Sequence, residues 1–202
     1  MTLEDVMARI YDSKDFTAGG GAASAVAAAM AASLVSMVAR LSVGKQCGLS
    51  DEVYEKTAAE MDEISLLLRD GAVRDLEAFL DMKAAYALPK VTETEKALRR
   101  EAIGKAAYVA ADVPRRNALL ALKVEHAARD MKGRSNGNAG SDLEVGAVFA
   151  RAAVGGCLAN IRANLGLIKD PEHVAELEAF LQETEMGMET DGVEERKAGK
   201  AE

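Results

Sequence analysis

The segment that decides the fold is FTAGGGAASAVAAAMAASLVSMVARLSVGK, which spans Phe16 to Lys45. Residues 16–39 carry no charge, three glycines lie near the start, and alanine is the commonest residue. The segment has three interpretations: a membrane anchor, a phosphate-binding loop, or a helix buried in a soluble core. A membrane-spanning helix needs about 20 strongly apolar residues, whereas serines interrupt this run and most of it is alanine. We therefore expect a buried helix of a soluble protein and no membrane association.

The composition excludes several classes of protein. Of the 202 residues, 29% are charged and 49% apolar, which is ordinary for a soluble globular domain. Aromatic residues make up only 4%, so the alanine-rich chain favours helices over strands. The net charge of −8 argues against nucleic acid or an anionic membrane as a partner. The two cysteines and two histidines are too scattered for a zinc or haem site, so we expect neither metal nor cofactor.

Apolar periodicity predicts two long helices in the first half of the chain. The alanine-rich helix is expected over about 20–43 and should be covered on all sides, because it has no polar stripe. A second helix is predicted from Asp51 to about Ala87, with Pro89 preventing its continuation. The N-terminus has early acidic residues and lacks the apolar core of a signal peptide, so we expect a cytoplasmic protein.

Capping signals place the helices of the second half. Thr92 with Glu95 forms a capping-box pattern at the start of a third long helix, which we expect to bend at Pro114. The loop RSNGNAGSD follows, and Ser141 is the predicted cap of the next helix. Pro171 then begins a last amphipathic helix after an aspartate cap.

These elements predict an all-α protein with one domain over residues 1–188. The architecture is a bundle of long antiparallel helices around the buried, alanine-rich one. Residues 189–202 are almost entirely charged or small, so a disordered or frayed polar tail is expected there.

Gly19, Gly20 and Gly21 precede the N-terminus of the alanine-rich helix. Free backbone N–H groups at such a position can bind an anionic group. A tight entry into a crowded helix is the other explanation. No strand precedes these glycines, so they are not a dinucleotide-binding loop. The residues alone leave both explanations open.

Five separated segments, in order, resemble the signature segments of one enzyme family. They are the glycine–alanine segment at 18–45, DLEAFLDMKAAYALPK at 75–90, ADVP at 111–114, NGNAGSD at 136–142 and NIRANLGLIKD at 160–170. The family is the cyclodeaminase/cyclohydrolase family of folate enzymes, which act on formimidoyl- and methenyltetrahydrofolate. The resemblance covers about Leu3 to Leu181. It implies an all-helical homodimer with its site in a groove near the subunit interface, a tetrahydrofolate one-carbon substrate, and no metal.

The chemistry of such substrates needs only acid–base groups. A 5,10-methenyl folate is a delocalised cation, and its hydrolysis to 10-formyltetrahydrofolate needs a placed water, a proton acceptor and a negative group nearby. Cyclodeamination of 5-formimidoyltetrahydrofolate needs N10 to attack the formimidoyl carbon and a proton for the departing ammonia. The sequence leaves both reactions open.

The resemblance carries specific residues into the expected site. Asp75 and Lys45 are the predicted catalytic residues, although each has a simpler explanation: a solvated helix carboxylate and a charge at a helix C-terminus. Substrate contacts are expected from Gly19, Gly20, Gly21, Lys90, Asn138, Asp142, Asn160 and Asn164. For the asparagines at 160 and 164, hydrogen bonds between helices are the alternative. We interpret His126 and Cys157 as packing or surface residues.

The chain departs from the family pattern at Val73, where a second aspartate usually stands two residues before Asp75. Loss of one carboxylate could change the reaction or slow it. It could also mark a non-catalytic helical paralogue that binds a folate-like ligand or serves in assembly, which is the alternative to an enzyme.

Overall fold

The computed structural model describes residues 3–10, 12, 14 and 18–198, and the side chains among them except those of Leu3 and residues 189–198. The described residues form α-helices and a short 3₁₀ turn, and none of them is in a strand. The all-α prediction is therefore confirmed. The helices are α1 Leu3–Ile10, α2 Gly20–Ser42, α3 Asp51–Ala87, α4 Glu93–Met131, α5 Gly140–Leu165 and α6 Pro171–Ala198.

Helices α2 to α5 form a bundle in which sequence neighbours run antiparallel. The α2 helix packs along α3 and α5 and faces α4 across the bundle. Ser33 contacts Ser65 near the middle of α2, whereas Gly21 at its start meets Asp75 further along α3, so these two helices point in opposite directions. Small residues on α2 allow this close approach from several sides.

The expectation that α2 is covered on all sides is wrong for one stripe. Met30, Met37 and Leu41 are 47%, 38% and 46% exposed. They repeat at helical spacing, with Ser33 and Leu34 between them. The other sides of α2 consist almost entirely of buried alanine, valine and serine. The stripe is exposed because α3, α4 and α5 together surround only part of the circumference of α2.

Local capping signals predicted most helix starts correctly. The Thr92 hydroxyl accepts the Glu95 N–H at 3.2 Å, and the Glu95 carboxylate accepts the Thr92 N–H at 2.8 Å. Asp170 accepts the Glu172 N–H at 2.9 Å at the start of α6. Ser141 is not a cap, because the 3₁₀ turn Gly137–Ala139 continues directly into α5 and already places Ser141 inside the helix.

Two segments, Gly20–Ser42 and Gly137–Leu165, are long and apolar enough to cross a membrane on length and composition. In α2, 67% of the apolar window is buried inside the bundle, as in the core helix of a soluble protein. The α6 helix reaches Ala198, and residues 199–202 lie outside the described part of the chain. The division into a domain over 1–188 and a polar tail over 189–202 stays a prediction.

Candidate active site

The Asp75 carboxylate lies against the first turn of α2. A β-carbon on Gly21 would be 2.6 Å from Asp75 Cγ, so only glycine leaves room for this side chain. The backbone N–H of Ala22 donates a hydrogen bond to the carboxylate. The helix N-terminus therefore does bind an anionic group, and that group is the protein's own Asp75. The tight entry into α2 is therefore confirmed, and a substrate contact of Gly19, Gly20 or Gly21 stays a prediction.

Apolar surroundings make Asp75 a weaker acid than usual. Its neighbours on α3, Ala72 and Leu76, are fully buried in a cluster that also contains Ala22 at the start of α2. Burial raises the pKa of Asp75 to about 6, and the hydrogen bond from the Ala22 N–H offsets this only in part. The solvated-carboxylate explanation of Asp75 is therefore wrong. Val73, at the position of the missing second aspartate, packs on the same cluster.

Phe79 lies one helical turn after Asp75 on α3. Its side chain is 37% exposed. The apolar cluster beside the start of α2 includes Ala22, Ala25 and Val26, which are distant from Asp75 in sequence.

The glycine turn, which is Gly19–Gly21 at the start of α2, packs against α5 on its other side. Asn160 Nδ2 lies 3.2 Å from where a β-carbon of Gly20 would be, and it donates to the Gly156 carbonyl at 2.8 Å. A β-carbon on Gly156 would overlap Ser24 Oγ, which donates to the Gly20 carbonyl at 2.6 Å. Sequence patterns did not single out Ser24 and Gly156, because the only signal there is the small size of these residues on one face of each helix.

Cys157 is buried beside this cluster and stays protonated. Burial, and after it the negative charge of Asp75, raises the pKa of the Cys157 thiol to about 12. A thiol with that pKa is a poor nucleophile at neutral pH. This agrees with the interpretation of Cys157 as a packing residue. His126, by contrast, lies exposed on α4.

Asn160 and Asn164 use their side-chain N–H groups inside the bundle. Asn164 Nδ2 donates to the Ala110 carbonyl on α4 at 3.2 Å and to the Asn160 carbonyl at 3.0 Å. The bond to Ala110 is the interhelical bond that the alternative predicts, whereas the bond to Asn160 stays within α5. Contact of either residue with the substrate stays a prediction.

Lys45, Asn138 and Asp142 lie at the other end of the bundle. Asn136 joins this loop to the end of α2: its N–H donates to Ser42 Oγ at 2.9 Å, and its side chain donates to the Leu41 carbonyl at 2.9 Å. The α2 helix has 23 residues, so its two ends are about 33 Å apart at a rise of 1.5 Å per residue. Within one chain, Lys45 is therefore too far from Asp75 for the two side chains to contact the same reacting atoms.

Lys90 lies in a third place. It follows the end of α3 at Ala87, and α3 itself continues past the start of α2. The side chain of Lys90 is exposed. The helical distance from Asp75 to Ala87 is about 18 Å. The fold therefore collects Asp75, Gly20, Gly21, Asn160 and Asn164 in one cluster and separates Lys45, Asn138, Asp142 and Lys90 from it.

In the part of the chain that the structure describes, no group of three or more His, Cys, Asp or Glu side chains is arranged to hold a metal ion. The expectation that the protein needs no cofactor stays a prediction. The cluster around Asp75 can supply one basic carboxylate, one buried thiol and several backbone groups at a helix N-terminus.

The chain is similar to known proteins over most of its length. Residues 2–183 match the model of the family described as formiminotransferase-cyclodeaminase. Methenyltetrahydrofolate cyclohydrolase of Methylorubrum extorquens is 35% identical over 172 residues, which is 83% of each chain. Formimidoyltransferase-cyclodeaminase of Gallus gallus is 34% identical over 191 residues, or 91% of this chain; the chain spans only 32% of the chicken protein. The crystal structure of formiminotetrahydrofolate cyclodeaminase from Thermotoga maritima matches this fold with a TM-score of 0.79 and 28% sequence identity. The match covers 94% of this chain and 91% of the T. maritima chain.

Proposed function

Because the chain belongs to the formiminotransferase-cyclodeaminase family, we propose that it hydrolyses 5,10-methenyltetrahydrofolate to 10-formyltetrahydrofolate with Asp75 as general base. The observation that carries this proposal is the Asp75 carboxylate at the start of α2, whose pKa burial raises to about 6. Such a group is ionised at neutral pH and is still basic enough to accept a proton from water. The proposed reaction uses no cofactor.

The carboxylate has two tasks in this mechanism. The substrate is a cation, so an ionised Asp75 beside it stabilises the charge and orients a water molecule. Asp75 accepts one proton as the water oxygen bonds to the carbon between N5 and N10. It then returns that proton to N5 as the bond from carbon to N5 breaks. The proton of the new hydroxyl leaves to solvent, and the formyl group remains on N10.

A single carboxylate favours hydrolysis over cyclodeamination. In cyclodeamination, N10 loses a proton as it attacks, while the formimidoyl nitrogen must gain protons to leave as ammonia. A base and an acid on two sides of the substrate suit that reaction. Position 73 holds Val73 in an apolar cluster, so it supplies no second acid. The cyclohydrolase of M. extorquens, similar over 83% of both chains, also supports the choice.

Cyclodeamination is the second candidate, favoured by the similarity in fold to the T. maritima cyclodeaminase. One experiment separates the two. Purified protein is given 5,10-methenyltetrahydrofolate, whose absorbance loss reports hydrolysis, and separately 5-formimidoyltetrahydrofolate, from which released ammonia is measured. Turnover of the first substrate alone supports the proposal, and ammonia release without hydrolysis overturns it. Binding of folate with no turnover of either would favour a non-catalytic paralogue.

We also propose that the active form is a cytoplasmic homodimer. Met30, Met37 and Leu41 form an exposed apolar stripe on α2, next to a shallow groove of about 540 Å³ that Leu34 and Phe149 also line. Exposed apolar surface of this kind is typical of a protein interface. A second copy of the chain would cover it by placing its own stripe on the groove about a two-fold axis.

Such a dimer would also explain why the predicted site residues are separated within one chain. If two α2 helices pack antiparallel about the middle of the stripe, position 45 of one lies opposite about Val26 of the other. Val26 is about 8 Å along the helix from Gly21. The partner subunit's Lys45 would therefore lie near the Asp75 of the first subunit, in a groove between the two.

A further inference from the structure

The α4 helix contains a proline in its interior and still continues without interruption from Glu93 to Met131. Pro114 has no backbone N–H, so it cannot donate to the carbonyl of Ala110 four residues earlier. The ring of Pro114 also displaces that carbonyl from the helix axis. A backbone carbonyl without a donor inside a protein is costly, because it has lost its water and gained nothing.

A side chain from the neighbouring helix supplies the missing donor. Asn164, on α5, donates from Nδ2 to this same Ala110 carbonyl at 3.2 Å. Its second contact, to the Asn160 carbonyl at 3.0 Å, fixes the direction of the amide. Because the amide carries two hydrogens, it can serve both carbonyls at once.

The same part of α5 holds the glycine turn. Asn160 lies one turn before Asn164 and contacts Gly20. The adjacent glycine, Gly21, leaves the space that Asp75 occupies. A displacement of α5 at Asn164 would therefore change the packing around the carboxylate.

We propose that Asn164 is a positioning residue, which replaces the hydrogen bond that Pro114 removes from α4 and thereby holds α5 against the glycine turn that carries Asp75. The link to catalysis rests on the proposed function, whereas the link between Asn164 and Pro114 does not. A residue of this kind acts through Asp75 and makes no contact with the substrate. It therefore differs from the substrate-binding role that the family resemblance implies for Asn164.

The proposal predicts that Asn164 becomes dispensable once position 114 has its own N–H. The experiment compares wild type, Asn164→Leu, Pro114→Ala and the double variant, each by thermal unfolding and by kcat/KM as a function of pH. Leu has nearly the shape of Asn but no donor. We expect Asn164→Leu alone to lower Tm by about 2–6 °C, the effect of leaving one partly buried carbonyl without a donor in a domain of this size. In the Pro114→Ala background, the same change should cost much less.

The kinetic arm tests the positioning role. In Asn164→Leu, looser packing around Asp75 should admit water and lower the apparent pKa of the acid limb of kcat/KM. It should also lower kcat/KM about tenfold, since small errors in position reduce catalysis by that order. Adding Pro114→Ala should restore most of both losses. Asn164→Ala, which also has no side-chain donor, follows the same cycle in case leucine cannot be accommodated.

Ser42→Ala is the matched control. Ser42 Oγ donates to the Val38 carbonyl at 2.8 Å and accepts the Asn136 N–H at 2.9 Å, so this change also removes hydrogen bonds between polar groups inside the protein, but at the other end of α2. Its cost should be the same with Pro114 or Ala at position 114.

Equal Tm losses for Asn164→Leu in both backgrounds would overturn the proposal. So would a loss of activity that leaves Tm unchanged and that Pro114→Ala does not relieve, since a substrate contact behaves that way. If wild type has no turnover, the proposed function fails, while the Tm cycle still decides whether Asn164 replaces the missing bond.

Discussion

Gly21 and Asp75 are packed so closely that a β-carbon on the glycine would lie 2.6 Å from Asp75 Cγ. The two residues come from different helices and are far apart in sequence. Their contact places the carboxylate next to the Ala22 N–H at the positive end of α2 and beside an apolar cluster. Desolvation is the larger influence, so the pKa of the carboxylate rises to about 6.

Gly21→Ala should therefore damage both stability and activity. The added methyl group must displace Asp75 or the first turn of α2, and overpacking of this kind costs about 1–3 kcal/mol. Thermal unfolding and kcat/KM measure the two effects. Gly155→Ala is the control, because nothing lies within 4 Å of a β-carbon at that α5 position. It should be neutral or stabilising, since alanine is the better helix former. Equal behaviour of the two variants would contradict the close packing of Asp75.

Asp75→Asn should keep the fold and lower kcat by about 10²-fold or more, the usual loss for a general base. The wild-type enzyme should lose kcat/KM as the pH falls through about 6, because protonated Asp75 cannot accept a proton from water. The residual activity of Asp75→Asn should not show this limb. A wild-type rate in the variant, or an unchanged acid limb, would remove Asp75 from the mechanism.

The same substitution should change stability in a pH-dependent way. The pKa of Asp75 is about 6 in the folded protein against an ordinary value of 3.8, so the folded state binds the proton more tightly. Its contribution to stability is complete below about pH 4 and is lost as the pH rises through about 6, a change of about 3 kcal/mol.

Asparagine has no charge to bury at any pH. Asp75→Asn should therefore unfold at a Tm roughly 5–10 °C above wild type at pH 7.5, with the difference much smaller at pH 4. Differential scanning calorimetry at both pH values measures this. A Tm difference that is the same at both would mean that the carboxylate is solvated in the folded protein.

If Lys45 is catalytic and the site is shared between subunits, Asp75→Asn and Lys45→Ala should each be impaired alone and should recover activity when mixed. In a dimer of Asp75→Asn with Lys45→Ala, one of the two sites would combine an intact Asp75 with the partner subunit's intact Lys45. Random exchange of subunits makes half of the dimers mixed, so roughly a quarter of wild-type activity is expected. Turnover of methenyltetrahydrofolate after co-refolding measures it. Each variant refolded alone is the control, and no recovery from the mixture would contradict the shared groove.

Helix boundaries could be predicted from the sequence because their causes are local. The prediction of α3 from Asp51 to about Ala87 agrees with the structure, and Pro89 and the capping box at Thr92 lie within a few residues of the ends they specify. The α5 start was predicted less well, since a 3₁₀ turn before it has no strong sequence signal. Family resemblance supplied Asp75 as a candidate, but periodicity alone left it among the charged residues of a long helix.

The sequence by itself determined that this protein is helical, where most of its helices begin and that α2 is largely buried, because propensity, capping and periodicity act over a few residues. Only the tertiary structure decided that Asp75 is a desolvated carboxylate at the start of α2, and that Lys45 lies beyond the other end of that helix, which is about 33 Å long. It also decided that Asn164 serves the Ala110 carbonyl on α4. A pKa depends on what excludes water from the group, and an unpaired carbonyl on which side chain can reach it. Both depend on contacts between helices that are distant in the chain, so no local pattern contains them.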